Sequence, residues 1–259
     1  MKKILYQFVF PGLVAGLSLL LLGGVHSQAR AQESAPRRGT SAGAEGTVTC
    51  SIQSGAGYNA VFKPYKQYDC GRGASGVGAG DFNHDGRTDV ALSTTASGWT
   101  HELLIFLQDG NGVLGQPTSY AGGNRSEYLA VGDFNHDGWD DVVTADYDNT
   151  ISVYLQQADG TLANRVTYPT NTGPDSIAVA DVNNDTWDEI IVSHWNSSMI
   201  GVFTQKADGT LNPMVIYPSA QAGYDDIETG DVNGDGRTDV VKMNGQGYAN
   251  PNLMVYLQN

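Results

Sequence analysis

The chain has 259 residues, with 28 acidic against 14 basic side chains, a formal charge of −14, 33 glycines and only 16% charged residues. So acidic a balance excludes nucleic acid and anionic membrane surfaces as partners. Abundant glycine with sparse charge suits many short strands joined by tight turns, not long helices.

In chain order, Lys2 and Lys3 precede an apolar run over 4–25, which leads to Ala29-Arg30-Ala31. This is the pattern of a secretory signal with an A-x-A cleavage site, so 1–31 is expected to be removed. The product is then secreted or extracytoplasmic, in a periplasm or at a cell surface. The competing reading is an uncleaved anchor, because the run is just long enough to span a bilayer; Pro11 and the clustered glycines speak against it. Cleavage removes Lys2, Lys3 and Arg30 and no acid, moving the formal charge from −14 to −17. No later segment is apolar enough for membrane insertion. Residues 32–47 are small, polar and without apolar period, which reads as a flexible linker. Cys50 and Cys70 follow, the only cysteines; in an exported chain they are expected to form one disulfide across a short N-terminal segment.

From 48 to 259 the chain repeats. Four copies of one nine-residue core begin at Asp81 (DFNHDGRTD), Asp133 (DFNHDGWDD), Asp181 (DVNNDTWDE) and Asp231 (DVNGDGRTD), at intervals of 52, 48 and 50 residues. Periods of this size mark solenoids, propellers or arrays, in which each unit buries its apolar face against its neighbours. Short β-branched runs flank each core, and a third strand follows at LLIFLQ, ISVYLQ, IGVFTQ and LMVYLQ. In the first three copies that strand enters an Asp-Gly turn, at Asp109-Gly110, Asp159-Gly160 and Asp208-Gly209, and a fourth strand comes after it. Four strands per unit predict an all-β propeller of four-stranded blades. The last copy stops after its third strand, while the segment 60–65 (AVFKPY) reads as an unattached fourth strand. Pairing the two would close a ring of four blades in a monomer; the alternative is an open partial ring that dimerises.

The cores have the spacing of a cation-binding loop. Ca²⁺ takes six to eight oxygen ligands, supplied from a tight loop by side chains at alternate positions and one backbone carbonyl. The first copy offers Asp81, Asn83, Asp85, the carbonyl of Arg87 and Asp89. The second offers Asp133, Asn135, Asp137, the carbonyl of Trp139 and Asp141. The fourth offers Asp231, Asn233, Asp235, the carbonyl of Arg237 and Asp239. The third has Asp181, Asn183, Asp185, the carbonyl of Trp187 and Glu189, with Thr186 where the others carry glycine, and is expected to be the weakest. Three to four ions are expected. The loop is not an EF-hand, because its closing acid stands at position nine and strands, not helices, flank it. Trp139 and Trp187 also lie in these loops, where packing against a neighbouring blade accounts for them, and His84 and His136 stand at a position that points away from the metal; a structural role is expected of all four.

The acidic cores, the Val-Gly-Asp or Ala-Gly-Asp before them and the DGT turns resemble FG-GAP/VCBS repeats, the units of integrin-α-like calcium-binding β-propellers. The resemblance covers roughly 58–259. It implies a propeller with calcium in the loop between first and second strands, serving adhesion, carbohydrate binding or protein binding. Four copies, against the seven blades common in that family, and the missing glycine of the third loop are departures from it.

On the opposite face, the connections from second to third strand carry Trp99, Tyr147, Trp195 and Tyr248, beside Asp146, His194 and Asn196. One aromatic per blade next to hydrogen-bonding groups suits stacking on sugar rings or gripping a peptide; the same aromatics would equally cap the inter-blade core. No catalytic constellation is legible. The G-x-S-x-G at 39–43 lies in the linker, and the G-x-G-x-x-G at 71–76 leads into a strand instead of a helix. A carbohydrate- or protein-binding module is therefore the expected function, with a polysaccharide-active hydrolase or lyase on the same scaffold as the alternative.

Overall fold

The computed structural model describes residues 49–54, 65–95, 101–220, 222–246 and 252–259. Within them the chain is all-β, with three four-stranded antiparallel sheets, one three-stranded sheet and one two-stranded hairpin. The hairpin joins β1 (Ser51–Ser54) to β2 (Lys66–Asp69). The first sheet runs β3 (Gly73–Gly80), β4 (Asp89–Thr95), β5 (His101–Phe106) and β6 (Thr118–Ala121). The second runs β7 (Tyr128–Gly132), β8 (Asp141–Asp146), β9 (Thr150–Tyr154) and β10 (Val166–Pro169). The third is β11 (Pro174–Ala180), β12 (Glu189–His194), β13 (Met199–Phe203) and β14 (Val215–Pro218). The fourth holds β15 (Tyr224–Gly230), β16 (Asp239–Gln246) and β17 (Asn252–Tyr256).

Each sheet is a meander in sequence order, and the first strands of successive sheets pack in series, β3 on β7, β7 on β11 and β11 on β15. The packing is close. A Cβ on Gly78 of β3 would lie 2.6 Å from Leu129 Cδ1, so only a residue without one fits there. Alternate residues along each strand face opposite neighbours, and the core is accordingly a layer between each pair of sheets. Leu103 and Ile105 meet Val142 and Tyr154 between the first two sheets. Val143, Ile151 and Val153 meet Ile190, Val192 and Phe203 between the next two, and Ile191, Ile200 and Val202 meet Ile227 and Val240 between the last two. This layering is the propeller-like arrangement that the repeat predicts.

Two features were not legible in the sequence. The β1–β2 hairpin is stapled by the expected Cys50–Cys70 disulfide and covers the outward side of the first sheet, packing Cys50 and Tyr68 on Leu104 and Phe106. The turn after the third strand is also not a two-residue hairpin. Gln157 N–H donates to Thr161 O and Gly160 N–H to Gln157 O, with Gly160 at φ +78°, a three-residue loop closed by a left-handed glycine. Its counterpart in the first sheet is Asn111-Gly112, where Gly112 has φ +74°, and not Asp109-Gly110. Asp109 instead opens that turn, accepting the amides of Asn111 and Val113.

The signal peptide, the linker and the ring-closing residues 60–64 lie outside the described residues. Among the described residues, Lys66 of β2 pairs with Ser54 of β1.

Candidate metal centre

Each acidic loop joins the first strand of its sheet to the second. In the first loop, Asp81 accepts the amides of Asp85 (2.9 Å) and Gly86 (2.7 Å), and Asn83 Oδ1 accepts Asp85 N–H (3.1 Å). Asp85 in turn accepts Arg87 N–H (3.0 Å). The same bonds recur around Asp133, Asp181 and Asp231. They wrap the backbone around the first carboxylate, with the side-chain oxygens at positions one, three and five each accepting a loop amide. Two residues per loop must take left-handed backbone. Position six does so in all four, at Gly86, Gly138, Thr186 and Gly236, and so does position four, at His84, His136, Asn184 and Gly234. Thr186, at φ +76°, is the costly one, because a β-branched side chain collides with its own backbone there.

Amide donation also sets the acidity of the first aspartate. Slight burial of Asp81 is outweighed by the amides of Gly86, Asp85 and Asn83, which hold its carboxyl below the usual range. The Gly236 amide does the same for Asp231.

The acid at position nine behaves differently, and sequence reasoning missed its role. Asp89 is fully buried and accepts Phe82 N–H (3.0 Å) from its own loop and Gln108 N–H (2.7 Å) from beyond the third strand. Asp141 repeats this with Phe134 (3.0 Å) and Gln156 (2.7 Å), and Asp239 with Val232 (3.1 Å) and Gln258 (2.9 Å). In these three loops the ninth residue is a latch between loop and sheet. Burial pushes Asp141 up to about 7.

Glu189 is one methylene longer. It keeps the loop bond, from Val182 N–H (3.1 Å), but its other oxygen turns inward and accepts Asn183 Nδ2 (2.8 Å). As a result, oxygens of Asp181, Asp185 and Glu189 all lie within 4.8 Å of one another, the one such grouping among the described residues. Burial pushes Glu189 to about 7 as well. An all-oxygen set of three carboxylates and one amide carbonyl is the donor chemistry that Ca²⁺ takes, so the residues present fit that ion. The third loop, expected to be the weakest, is thus the one whose carboxylates converge. In the first loop Arg87 instead holds Asp85 in an ion pair.

Successive loops touch. His84 lies against Trp139, with ring centroids 5.5 Å apart, and His136 stacks on Trp187 at 5.0 Å. Asp140 of the second loop accepts Asp81 N–H at the start of the first (2.6 Å). These four rings therefore join one sheet to the next.

The match to known families covers most of this region. A model described as FG-GAP-like repeat matches residues 81–144, 133–192 and 183–241. The chain belongs to that family. No curated protein matches it. Among solved structures it is similar to a proposed 6-phosphogluconolactonase from Bacteroides uniformis, at 18% identity and TM-score 0.46, covering 71% of this chain and 56% of that one. It is also similar to the Photorhabdus luminescens Tc holotoxin pore, at 11% identity and TM-score 0.40, covering 78% of this chain and 12% of that one. At these scores neither likeness bears on function.

On the opposite face, Tyr147 is half exposed and stacks under the Arg125 guanidinium at 4.5 Å, Asn196 is exposed and Trp195 is partly buried. Asp146 and His194 are fully buried. Asp146 is held by the hydroxyls of Ser126 (2.6 Å), Thr144 (2.9 Å) and Ser152, an arrangement that ties β8 to β9 and to the segment before β7 and leaves the carboxylate fully buried. Both ring nitrogens of His194 lack hydrogen-bond partners, and burial, with Lys242 nearby, pushes its pKa down to about 4. Trp99 and Tyr248 lie outside the described residues.

Proposed function

We propose that this FG-GAP repeat chain is an exported calcium-binding module whose acidic loops hold the sheets in register while the opposite face binds a carbohydrate or protein ligand. The observation that carries the metal reading is the convergence of Asp181, Asp185 and Glu189 in a loop whose spacing recurs three more times. When bound, calcium supplies a positive charge that offsets the mutual repulsion of the carboxylates, about 4 kcal/mol for a pair ~4 Å apart at an effective dielectric of 20. The protein's part is to aim the oxygens: Asn183 orients Glu189, and the amides of Val182, Asn184 and Thr186 fix Glu189 and Asp181.

The Cys50–Cys70 disulfide fits an oxidising compartment, and no described helix is long and apolar enough to cross a membrane. On the ligand face, Tyr147, Trp195 and Asn196 supply the aromatic and amide groups that sugar or peptide recognition uses. Calorimetric titration with calcium tests the metal reading. Wild type should bind three to four ions, and Asp185→Asn should remove one of them; no heat of binding would refute it. Glycan and peptide arrays probed with wild type and Trp195→Ala test the ligand face, and unchanged or absent binding would reject it.

A further inference from the structure

The first and second acidic loops are each completed by the repeat that follows. In the first, position one is held from outside, because Asp140 Oδ2 of the second loop accepts Asp81 N–H at 2.6 Å. Position three lies under the next repeat's turn, where a Cβ on Gly160 would stand 3.4 Å from Asn83 Cβ. Position four, His84, lies against Trp139. The third repeat treats the second loop in the same way. Asp188 has the Asp133 and Asp181 amides as backbone partners, and its Oδ2 lies beside Gly132, 3.3 Å from where a Cβ would be. A Cβ on Gly209 would stand 3.0 Å from Asn135, and His136 stacks on Trp187.

The residues that reach back also belong to the closure of their own loop. The spacing assigns the carbonyl of position seven as a ligand, and the indole of that same residue, Trp139 or Trp187, contacts the loop before it. Position eight, Asp140 or Asp188, is outside the ligand set of its own loop. That loop does not require an acid there, since the first and fourth carry Thr88 and Thr238. The two halves of the contact change together along the chain: His84 faces Trp139-Asp140 and His136 faces Trp187-Asp188, whereas Asn184 stands at position four before a repeat that carries Arg237-Thr238.

Order in one loop is therefore passed to its neighbour. Closing the third loop fixes Trp187 and Asp188, and these hold Asp133 and His136 in place. The second loop then closes with part of its backbone already ordered, which favours the second event without any new ligand. The third loop is the natural start, because its carboxylates already converge, and the first is the natural end, because Arg87 holds Asp85 in an ion pair.

We infer that Asp140 and Asp188 are positioning residues for the loop before their own, and that the first three loops fill with positive cooperativity, beginning at the third. This rests on the calcium reading and adds to it a route between sites. By linkage, occupancy of the second loop favours the third by the same factor.

Calcium itself is the probe, titrated into the full chain while backbone resonances or amide hydrogen exchange report each loop separately. In wild type the second and third loops should titrate together, more steeply than independent sites do. Glu189→Gln, with Asp185→Asn as a second variant at an exposed position, alters only the third loop, yet each should weaken calcium at the second about fivefold or more. The pair His136→Asn and Asp188→Thr removes the ring stack and the bridging carboxylate, using residues that the chain itself places at those positions in other loops. In that background Glu189→Gln should leave second-loop affinity unchanged, which closes a double-mutant cycle. A second loop indifferent to both third-loop variants, or weakened by the same factor in the uncoupled background, overturns the inference. Independent binding at every loop would overturn it while leaving the calcium reading intact, and no binding at any loop would overturn both.

Discussion

The second and third acidic loops differ at few positions, yet they close in different ways. In the second, Asp141 spends both oxygens on backbone amides, of Phe134 and Gln156. In the third, Glu189 keeps one such bond and turns its other oxygen into the loop. The contrast separates two jobs that the spacing D-x-N-x-D-G-x-x-D superimposes: latching the loop to its sheet, and presenting carboxylates to a cation. A one-methylene change moves the balance from the first job to the second, and at the same loop Thr186 replaces the glycine that would make the turn easy.

The largest expected effect breaks the latch. Asp141→Ala strands two buried amides and should destabilise the metal-free protein by about 4 kcal/mol, against about 2 for Glu189→Ala, which strands one. Denaturant unfolding in chelator measures both, and equal losses would show that the two acids do the same work.

Acid should sharpen the comparison next. The strands that leave these loops end in Asp146 and His194, both fully buried. The folded state holds the His194 imidazole neutral, its pKa pushed by burial to about 4 from an ordinary 6.5, so the unfolded chain binds the extra proton as pH falls. Its stabilising contribution is complete above pH 6.5 and is lost on going down to about 4. At 1.36 kcal/mol per unit, wild type should lose about 3 kcal/mol more than His194→Phe over that window. Parallel pH profiles for the two proteins would contradict the assignment.

A smaller change should reverse the strain. Thr186→Gly relieves a left-handed β-branched residue and should raise stability by about 1 kcal/mol, net of the entropy that glycine adds to the unfolded chain. If denaturant midpoints fall instead, Thr186 makes a contact worth more than its strain.

Much of the fold could be read directly, because strand and turn signals recur at a fixed period and each copy corroborates the others. The four meanders, the disulfide and the packing of Trp139 and Trp187 against the neighbouring loop follow from local chemistry, while their ring partners, His84 and His136, emerge only in the structure. The β1–β2 hairpin did not announce itself: SIQS and KQYD alternate weakly, and their pairing depends on the apolar face of the first sheet that they cover. The hairpin turns were misplaced in the first copy because Asp109-Gly110 and Asn111-Gly112 stand side by side, and only the left-handed φ distinguishes them. At the loops, the ligand-like spacing was visible, but whether an acid points inward depends on which amides lie opposite it. One of those amides comes from the same loop, but the other comes from just past the third strand, at Gln108, Gln156 or Gln258. Asp146 and His194 looked available for binding because they adjoin aromatics at a strand end, while their burial is decided by the neighbouring sheets.

The most direct test of the calcium-loop account is thermal unfolding of the chain in millimolar calcium and in chelator. Occupied loops should raise the melting temperature by several degrees or more, in proportion to RT ln(1 + [Ca²⁺]/Kd) per site, and Asp185→Asn should remove part of the rise. Identical melting temperatures in calcium and in chelator would mean that the loops are turns alone and that the family's fold is present here without its metal.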